Sequence, residues 1–447
     1  MTRHSDALRL RLALGPNTGT QMAKDIGLSQ PTVTRALAAM GDEVIKTGQR
    51  KSTRYFLRDH RRGYSDIPLY QVDVRGKVSE LGVLTPVRAE GYLWTPSQGH
   101  QLHSEGLPWW LMDVRPQGFL GRAYAARWGA ELGLPISLQE WSDHQAMCAL
   151  LAHGHDLVGH VLIGSLARDK FLASAEPTFI READKPSTYA RMAIDASAGH
   201  TPGSSAGGEQ PKFTAYAESA GRGKHVIVKF SEPLESSNSR RWRDLLWAEH
   251  LALTTLREAG VSAAQSAIYD HQAQRFLEVE RFDRVGASGR QAMVSLVALD
   301  AEFVGLAHQP WPVITQALAK QGVIAQAAAE KTEMLWAFGA LTGNTDMHHG
   351  NLSFLSSPER PHELAPAYDM TPMSFAPTRS GRLPDAIEPI TLHHHVSHAS
   401  WRKAREMAAT YLSRLQGSHA FSPEFQVCLQ ALEAHLQRTS ALIDRLV

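Results

Sequence analysis

Asp346-Met347-His348-His349-Gly350-Asn351 sets a carboxylate five residues ahead of a side-chain amide. Two remote stretches give it meaning. Lys229 follows the β-type run Val226-Ile227-Val228, and Asp369 follows the apolar approach Ala365-Pro366-Ala367-Tyr368. An acid to orient an attacking hydroxyl, an Asn and a second Asp for Mg²⁺, and a Lys for nucleotide phosphates are the parts of protein-kinase-like phosphoryl transfer. They fall here in the kinase order along the chain. Each is weak alone, because Asp and Asn five apart recur in loops and a strand-ending Lys is ordinarily solvated. Their joint occurrence carries the reading.

Upstream of Lys229, the Gly/Ser-rich segment from Thr201 to Lys212 precedes a strand predicted at Phe213–Tyr216. Its glycines allow close backbone approach to phosphates and its amides can form an anion nest. It fits neither the Walker form nor the usual kinase glycine pattern, and an interdomain linker has the same composition. Downstream, a helix predicted from about Asn238 to Arg257 and closed by Gly260 carries Glu249. A strand Lys paired with a Glu from the next helix is how kinase-like sites fix the phosphate-gripping ammonium, although a helical Glu is normally solvated. Ala267–Tyr269 and Arg275–Phe282 read as strands leading to Glu280-Arg281-Phe282-Asp283-Arg284, where a two-lobed kinase crosses between lobes. Ala325–Leu341 and Phe425–Leu446 repeat apolar residues at helical intervals. The expected class is α+β: a β lobe, then a helical lobe.

The chain has 447 residues, which suits two or three domains. Its formal charge of +1 is uneven. Residues 1–62 hold twelve Lys/Arg and five Asp/Glu, a net of +7, leaving 34 basic and 40 acidic residues, a net of −6, elsewhere. A basic head on an acidic body suits contact with a polyanion. Two cysteines, Cys148 and Cys428, supply neither a disulfide framework nor a Cys-rich zinc site. With no apolar leader and no run long enough to span a bilayer, a cytoplasmic protein is expected.

In the head, Met22, Ala23 and Ile26, a turn at Gly27-Leu28 and a cap at Ser29 predict a helix-turn-helix with a second helix over Gln30–Met40. Val33, Leu37 and Met40 face inward, which leaves Gln30, Thr32, Thr34 and Arg35 for a major groove. Val44–Thr47 and Thr53–Leu57 form a hairpin whose turn, with Arg50 and Lys51, makes a wing for phosphates. The other reading is a small helical module that binds protein.

From Leu69 the pattern alternates as strands, giving a small β-rich subdomain. The aromatic stretch Pro108-Trp109-Trp110-Leu111-Met112-Asp113 is expected to pack a core or domain interface rather than to stack bases. His393-His394-His395, with His398, invites a metal reading, but three adjacent side chains cannot converge on one ion from a regular helix or strand, so a surface cluster or incidental nickel binding is expected.

From about residue 69 to 447 the chain resembles the HipA-family serine/threonine kinases, toxins of bacterial toxin–antitoxin systems. The motifs are Ser-x-x-Gly-x-Gln-x-Lys at Ser205–Lys212, Val-Glu-Arg-Phe-Asp-Arg at Val279–Arg284, Asp-x-His-x-x-Asn at Asp346–Asn351, and Tyr368-Asp369. The resemblance implies a two-lobed HipA-like body with a β-rich N-subdomain. With the head at 1–62, the body divides at 66–165, 166–285 and 286–447. It implies nucleotide contacts from Gly207, Gly208, Glu209, Gln210 and Lys212, with Lys229 on the phosphates and Glu280, Arg281 and Phe282 at the adenine hinge. His348, Asn351 and Tyr368 fall at further nucleotide-contact positions. Asp346 becomes the catalytic acid/base, Asn351 and Asp369 the Mg²⁺ ligands, Glu249 the partner of Lys229, and ATP with Mg²⁺ the cofactors. His348 is as readily a residue that only orders the catalytic loop. Ser205, with Ser204 beside it, sits where such kinases autophosphorylate, and a phosphate there opposes nucleotide binding.

Implied partners are a protein substrate, by family precedent in translation, DNA through the head, and a HipB-like antitoxin. The antitoxin is ordinarily a separate helix-turn-helix protein, so the fused head puts the need for one in doubt. Two other readings use the same residues. Asp346, His348, His349 and Asp369 could activate water for metal-dependent DNA cleavage, or the body could sense nucleotide for a transcription regulator.

Overall fold

Thr18 and Ser29 each turn a side-chain oxygen onto the backbone N–H three residues on, Gln21 and Thr32, and so start the helices Gly19–Ile26 and Gln30–Ala39. Gly27, at φ +70, ends the first, a left-handed conformation that glycine adopts without a Cβ penalty. Such a cap contributes about 1 kcal/mol. The computed structural model describes residues 3–49, 52–198, 210–356 and 360–446. In it these two helices pack against an additional first helix, Arg3–Ala13, around Leu8, Leu12, Met22, Val33, Leu37 and Met40. The hairpin follows, with Val44 opposite Leu57 and Thr47 opposite Arg54.

The hairpin does not end free. Arg58 bridges Val87, the Arg88 N–H donates to the Leu57 carbonyl (2.8 Å) and the Asp59 N–H to that of Pro86 (3.0 Å). Buried Asp59 accepts from Arg62 (3.0 Å) and Arg88 (3.4 Å), and Phe56 packs on Val87 and Leu93. The head is thereby joined, at the end of the central strand, to a five-stranded antiparallel sheet in the order Leu102–Ser104, Gly91–Pro96, Val78–Val87, Ile67–Val72, Val161–Ile163. Helix Ser165–Ala173 packs Ala167 and Phe171 on Tyr70, Val72 and Leu162 of the same sheet. Trp110 meets Trp94 edge-on, while Trp109 reaches Phe303 of the helical lobe, so the aromatic stretch fills a core and an interface as expected.

The next lobe is a four-stranded antiparallel sheet, in the order Ser266–His271, Gln274–Glu280, Arg222–Phe230, Lys212–Ser219. Helix Lys185–Ser197 packs Tyr189, Ala193 and Ala196 against Phe213, Val226 and Phe276. Helix Ser237–Glu258 is shared between lobes. Leu246 packs on Leu277 and Val279 of the sheet, and Leu245, Ala248, Ala252 and Leu253 enter the core of the helical lobe. That lobe is built on Trp311–Lys320, Gln326–Leu341, His398–Gln416 and Gln426–Ile443. Among the described residues no helix is long and apolar enough to cross a membrane.

Candidate active site

Lys212 and Lys229 lie directly opposite one another on paired strands, 4% and 6% exposed. Like charges so placed repel, and the fold answers with carboxylates. Lys229 Nζ contacts Glu249 Oε1 (2.7 Å), Glu249 Oε2 (2.8 Å) and Asp369 Oδ1 (2.5 Å). Glu249 Oε2 also accepts from Thr371 Oγ1 (2.6 Å). Burial works against charge on Lys229, but Asp369 and Glu249 outweigh it and raise its pKa, holding the ammonium charged. Burial likewise works against charge on Asp369, but the Lys229 and Lys212 ammoniums outweigh it and keep its carboxyl below the ordinary aspartate value.

Asp369 has φ +57, a left-handed conformation costing a non-glycine residue about 1–3 kcal/mol. Its neighbours hold it there. The Tyr368 hydroxyl lies 2.7 Å from both the Gly350 carbonyl and Ser353 Oγ. Ala367 pairs with the Ser262–Ala264 segment through two backbone bonds of 2.9 Å, and Asn344 Nδ2 donates to the Asp369 carbonyl (3.3 Å). Asn344 also organises the loop before it, its Oδ1 accepting the Asp346 N–H (3.0 Å).

Asn351 is buried and donates Nδ2 to the Asp346 carbonyl (2.8 Å), which leaves its Oδ1 as the atom available to a cation. Asp346 itself is exposed, and among the described residues no hydrogen bond or ion pair engages its carboxylate. Neighbouring protein atoms and the Asp369 charge push its pKa up, against the pull of His348, Lys229 and Lys212. His348 Nδ1 accepts the Gly350 N–H (3.0 Å), and its carbonyl accepts from Trp311 Nε1 (3.2 Å). It orders the loop while also lining the cleft. His349 Nε2 is held at the Gln309 carbonyl (2.8 Å).

Lys229, Glu249, His348, Asn351 and Asp369 line a cavity of about 520 Å³, a size that suits a small-molecule ligand, and Asp346 lies outside its lining, on the loop that leads to His348. Lys212, Lys229, Asn351 and Asp369 form its charged end, and Ile227, Ala264, Val279 and Phe282 its apolar wall. Oxygen donors at Asn351 and Asp369 fit a hard cation such as Mg²⁺.

Residues 63–172 match the model of the YjjJ-like toxin, middle domain, and residues 204–438, more than half of the chain, match that of the HipA-like C-terminal domain. Toxin YjjJ of Escherichia coli (strain K12) is 36% identical over 437 residues, 97% of this chain and 98% of that protein. The chain belongs to the YjjJ-like group of HipA-like toxins. Its fold recurs in a chain of the solved Shewanella oneidensis MR-1 toxin–antitoxin complex of HipA, HipB and its operator DNA. That alignment has a TM-score of 0.55 at 15% identity, over 85% of this chain and 98% of that one.

In this HipA-like toxin the structure brings Lys212, Lys229, Glu249, His348, Asn351, Tyr368 and Asp369 to one cleft, with Glu280, Arg281 and Phe282 along its wall. Arg281 is committed elsewhere, since its guanidinium grips Asp283 through two bonds (2.9 and 2.7 Å). The Glu280 carboxylate pairs with Lys224 (2.5 Å), and Phe282 lies 5.7 Å from the Tyr368 ring. Gln210 is half-buried, and its Nε2 has no hydrogen-bond partner among the described residues. Gly207, Gly208, Glu209, Ser204 and Ser205 lie outside the described residues, as do Arg50 and Lys51 of the wing. Gln30, Thr34 and Arg35 are exposed and Thr32 half-buried on the second helix of the head.

Sequence reasoning missed four contributors. Asn344 and Thr371 stand two residues before Asp346 and two after Asp369, near enough in sequence to have been noticed. Asp113 and Gln117 reach the cavity from the β-rich subdomain, where no chemistry was expected. Asp113 accepts the Ser295 N–H (2.7 Å) and hydroxyl (2.5 Å), and only the tertiary fold brings them together.

Proposed function

We propose that this protein is an ATP- and Mg²⁺-dependent serine/threonine protein kinase whose activity restrains growth. The observation that carries the reading is the position of Lys229 between Glu249 and Asp369, in a cleft bordered by the Asp346–Asn351 loop. Lys212 and Lys229 receive nucleotide phosphates, and the apolar wall of Ile227, Ala264, Val279 and Phe282 accepts the flat base. Asn351 and Asp369 would hold Mg²⁺, which when bound would supply positive charge against the transferring phosphoryl group. Asp346, exposed and with a raised pKa, orients the attacking hydroxyl and accepts its proton while the γ-phosphoryl group of ATP passes to that oxygen and ADP leaves.

A protein substrate, self-phosphorylation at Ser204 or Ser205, and DNA contact by Gln30, Thr32, Thr34 and Arg35 extend the same reading, with the basic wing on phosphates. The Shewanella HipA, found with HipB and operator DNA, is precedent for a DNA partner. The fused head supports a built-in counterpart of a separate HipB-like antitoxin. The test is intact-mass and peptide mass spectrometry after incubation with ATP and Mg²⁺, beside Asp346→Asn. Phosphate gained at Ser204 or Ser205 by the parent alone is expected. A parent that binds ATP and gains none, and transfers none to bacterial lysate proteins, overturns the reading.

A further inference from the structure

His393-His394-His395 lies in neither a helix nor a strand. It forms a tight turn closed by the Val396 N–H on the His393 carbonyl (3.0 Å), just before the Ser397-capped helix His398–Gln416. A strand would send alternate side chains to opposite faces, and a helix would fan three successive ones over about 200°. The turn gathers them instead. Ring centroids lie 5.6, 5.5 and 3.8 Å apart, and one nitrogen from each ring lies within 4.8 Å of the other two. The premise behind a merely scattered surface cluster therefore does not hold, and His398 belongs to the helix beyond.

The turn is anchored from beneath. Gln316 Nε2 donates to the His395 carbonyl (3.0 Å) and to Glu333 Oε1 (2.8 Å). Glu333, 8% exposed, uses Oε2 to accept the Ser397 N–H (3.2 Å). Trp336 stands edge-on to the His393 ring, 5.6 Å between centroids. His393 Nδ1 is buried and has no hydrogen-bond partner among the described residues. A buried ring nitrogen left so is unfavourable, and a coordinated metal ion would satisfy it.

We propose that His393, His394 and His395 form a zinc site, with three imidazole nitrogens as its protein ligands. Zn²⁺ bonds imidazole nitrogen at about 2.0–2.1 Å and has no electronic preference that an irregular turn would violate. The three nitrogens, all within 4.8 Å of one another, lie near enough to converge on one ion. The site clips the end of the segment from Ala376 to Ser397, which contains no helix or strand. Its support, helix Trp311–Lys320, also holds the His348 carbonyl through Trp311. The role is therefore structural, bracing the lobe behind the cleft without entering its chemistry.

The test uses untagged full-length protein stripped with a chelator, free of nucleotide, and titrated with ZnCl₂ beside His394→Ala/His395→Ala. One Zn²⁺ per chain, weakened at least about tenfold in the variant, is expected. Zn²⁺ should raise the melting temperature of the parent only, and Co²⁺ should give ligand-field absorption in the parent only. Metal-free melting temperatures should agree; if the alanine pair fails to fold, His394→Gln/His395→Gln replaces it. Equal stoichiometry and affinity in parent and variant, or adventitious millimolar binding only, overturns the proposal.

Discussion

Lys229 and Asp369 form a direct ion pair, Nζ to Oδ1 at 2.5 Å, so the cation proposed for phosphates and the carboxylate proposed for Mg²⁺ hold each other across the cleft. Glu249 closes the pair from the other side. Lys229→Met removes the cation and leaves buried Glu249 and half-buried Asp369 uncompensated. It should abolish phosphotransfer and cost about 3–5 kcal/mol in denaturant unfolding.

The same pair fixes an acid dependence. Asp369 lies below the ordinary value of 3.8, so its contribution is complete above that pH and is lost as pH falls through the folded value. The parent should lose stability on acidification below about pH 4. In Lys229→Met the two uncompensated carboxylates become easier to protonate, so acidification should instead recover stability. Unfolding curves at several pH values for both proteins check the opposite signs.

Asp346→Asn should leave melting within about 0.5 kcal/mol, because the side chain is exposed and makes no bond among the described residues. Phosphotransfer should vanish all the same. Because its pKa is raised above 3.8, the acid limb of the parent's kcat/KM profile should lie above that value.

Tyr368→Phe deletes the hydroxyl that ties Gly350 and Ser353 to the strained Asp369. A loss of about 1–3 kcal/mol is expected, with kcat falling more than nucleotide affinity. A thermal melt and a kcat-against-KM comparison separate the two effects.

Arg35→Ala, on the exposed face of the second helix of the head, should weaken DNA binding by about 1–3 kcal/mol and leave phosphotransfer unchanged. Fluorescence anisotropy with duplex DNA at two salt concentrations, beside the kinase assay, distinguishes a local contact from a folding defect.

Residues whose role depends on near neighbours were legible in the sequence. The caps at Ser29 and Gly27, and the strand that bears Lys229, follow from spacing within a few positions, and Glu249 follows from the type of the next helix. Arg281 illustrates what was not. It lines the cleft, and its guanidinium is held by Asp283 as part of a buried charge cluster. Asp283 also accepts from Arg284 (2.6 Å) and from the Gly159 N–H (3.0 Å), and Arg284 reaches Asp156 (2.9 Å). Asp156 and Gly159 lie more than a hundred positions away, and no local pattern marks them as partners. The joint between Arg58 and Val87 was invisible for the same reason, since backbone pairing between remote segments leaves no trace in side-chain type.

That joint removes slack. Leu57 hands the chain directly to a strand ladder, and Asp59, Arg62 and Arg88 lock the corner, so no swivel separates the head from the sheet. A head seated on a duplex would set the bearing of the whole molecule around it. Proteins able to present a hydroxyl to Asp346 would then be those approaching from the side the double helix leaves clear.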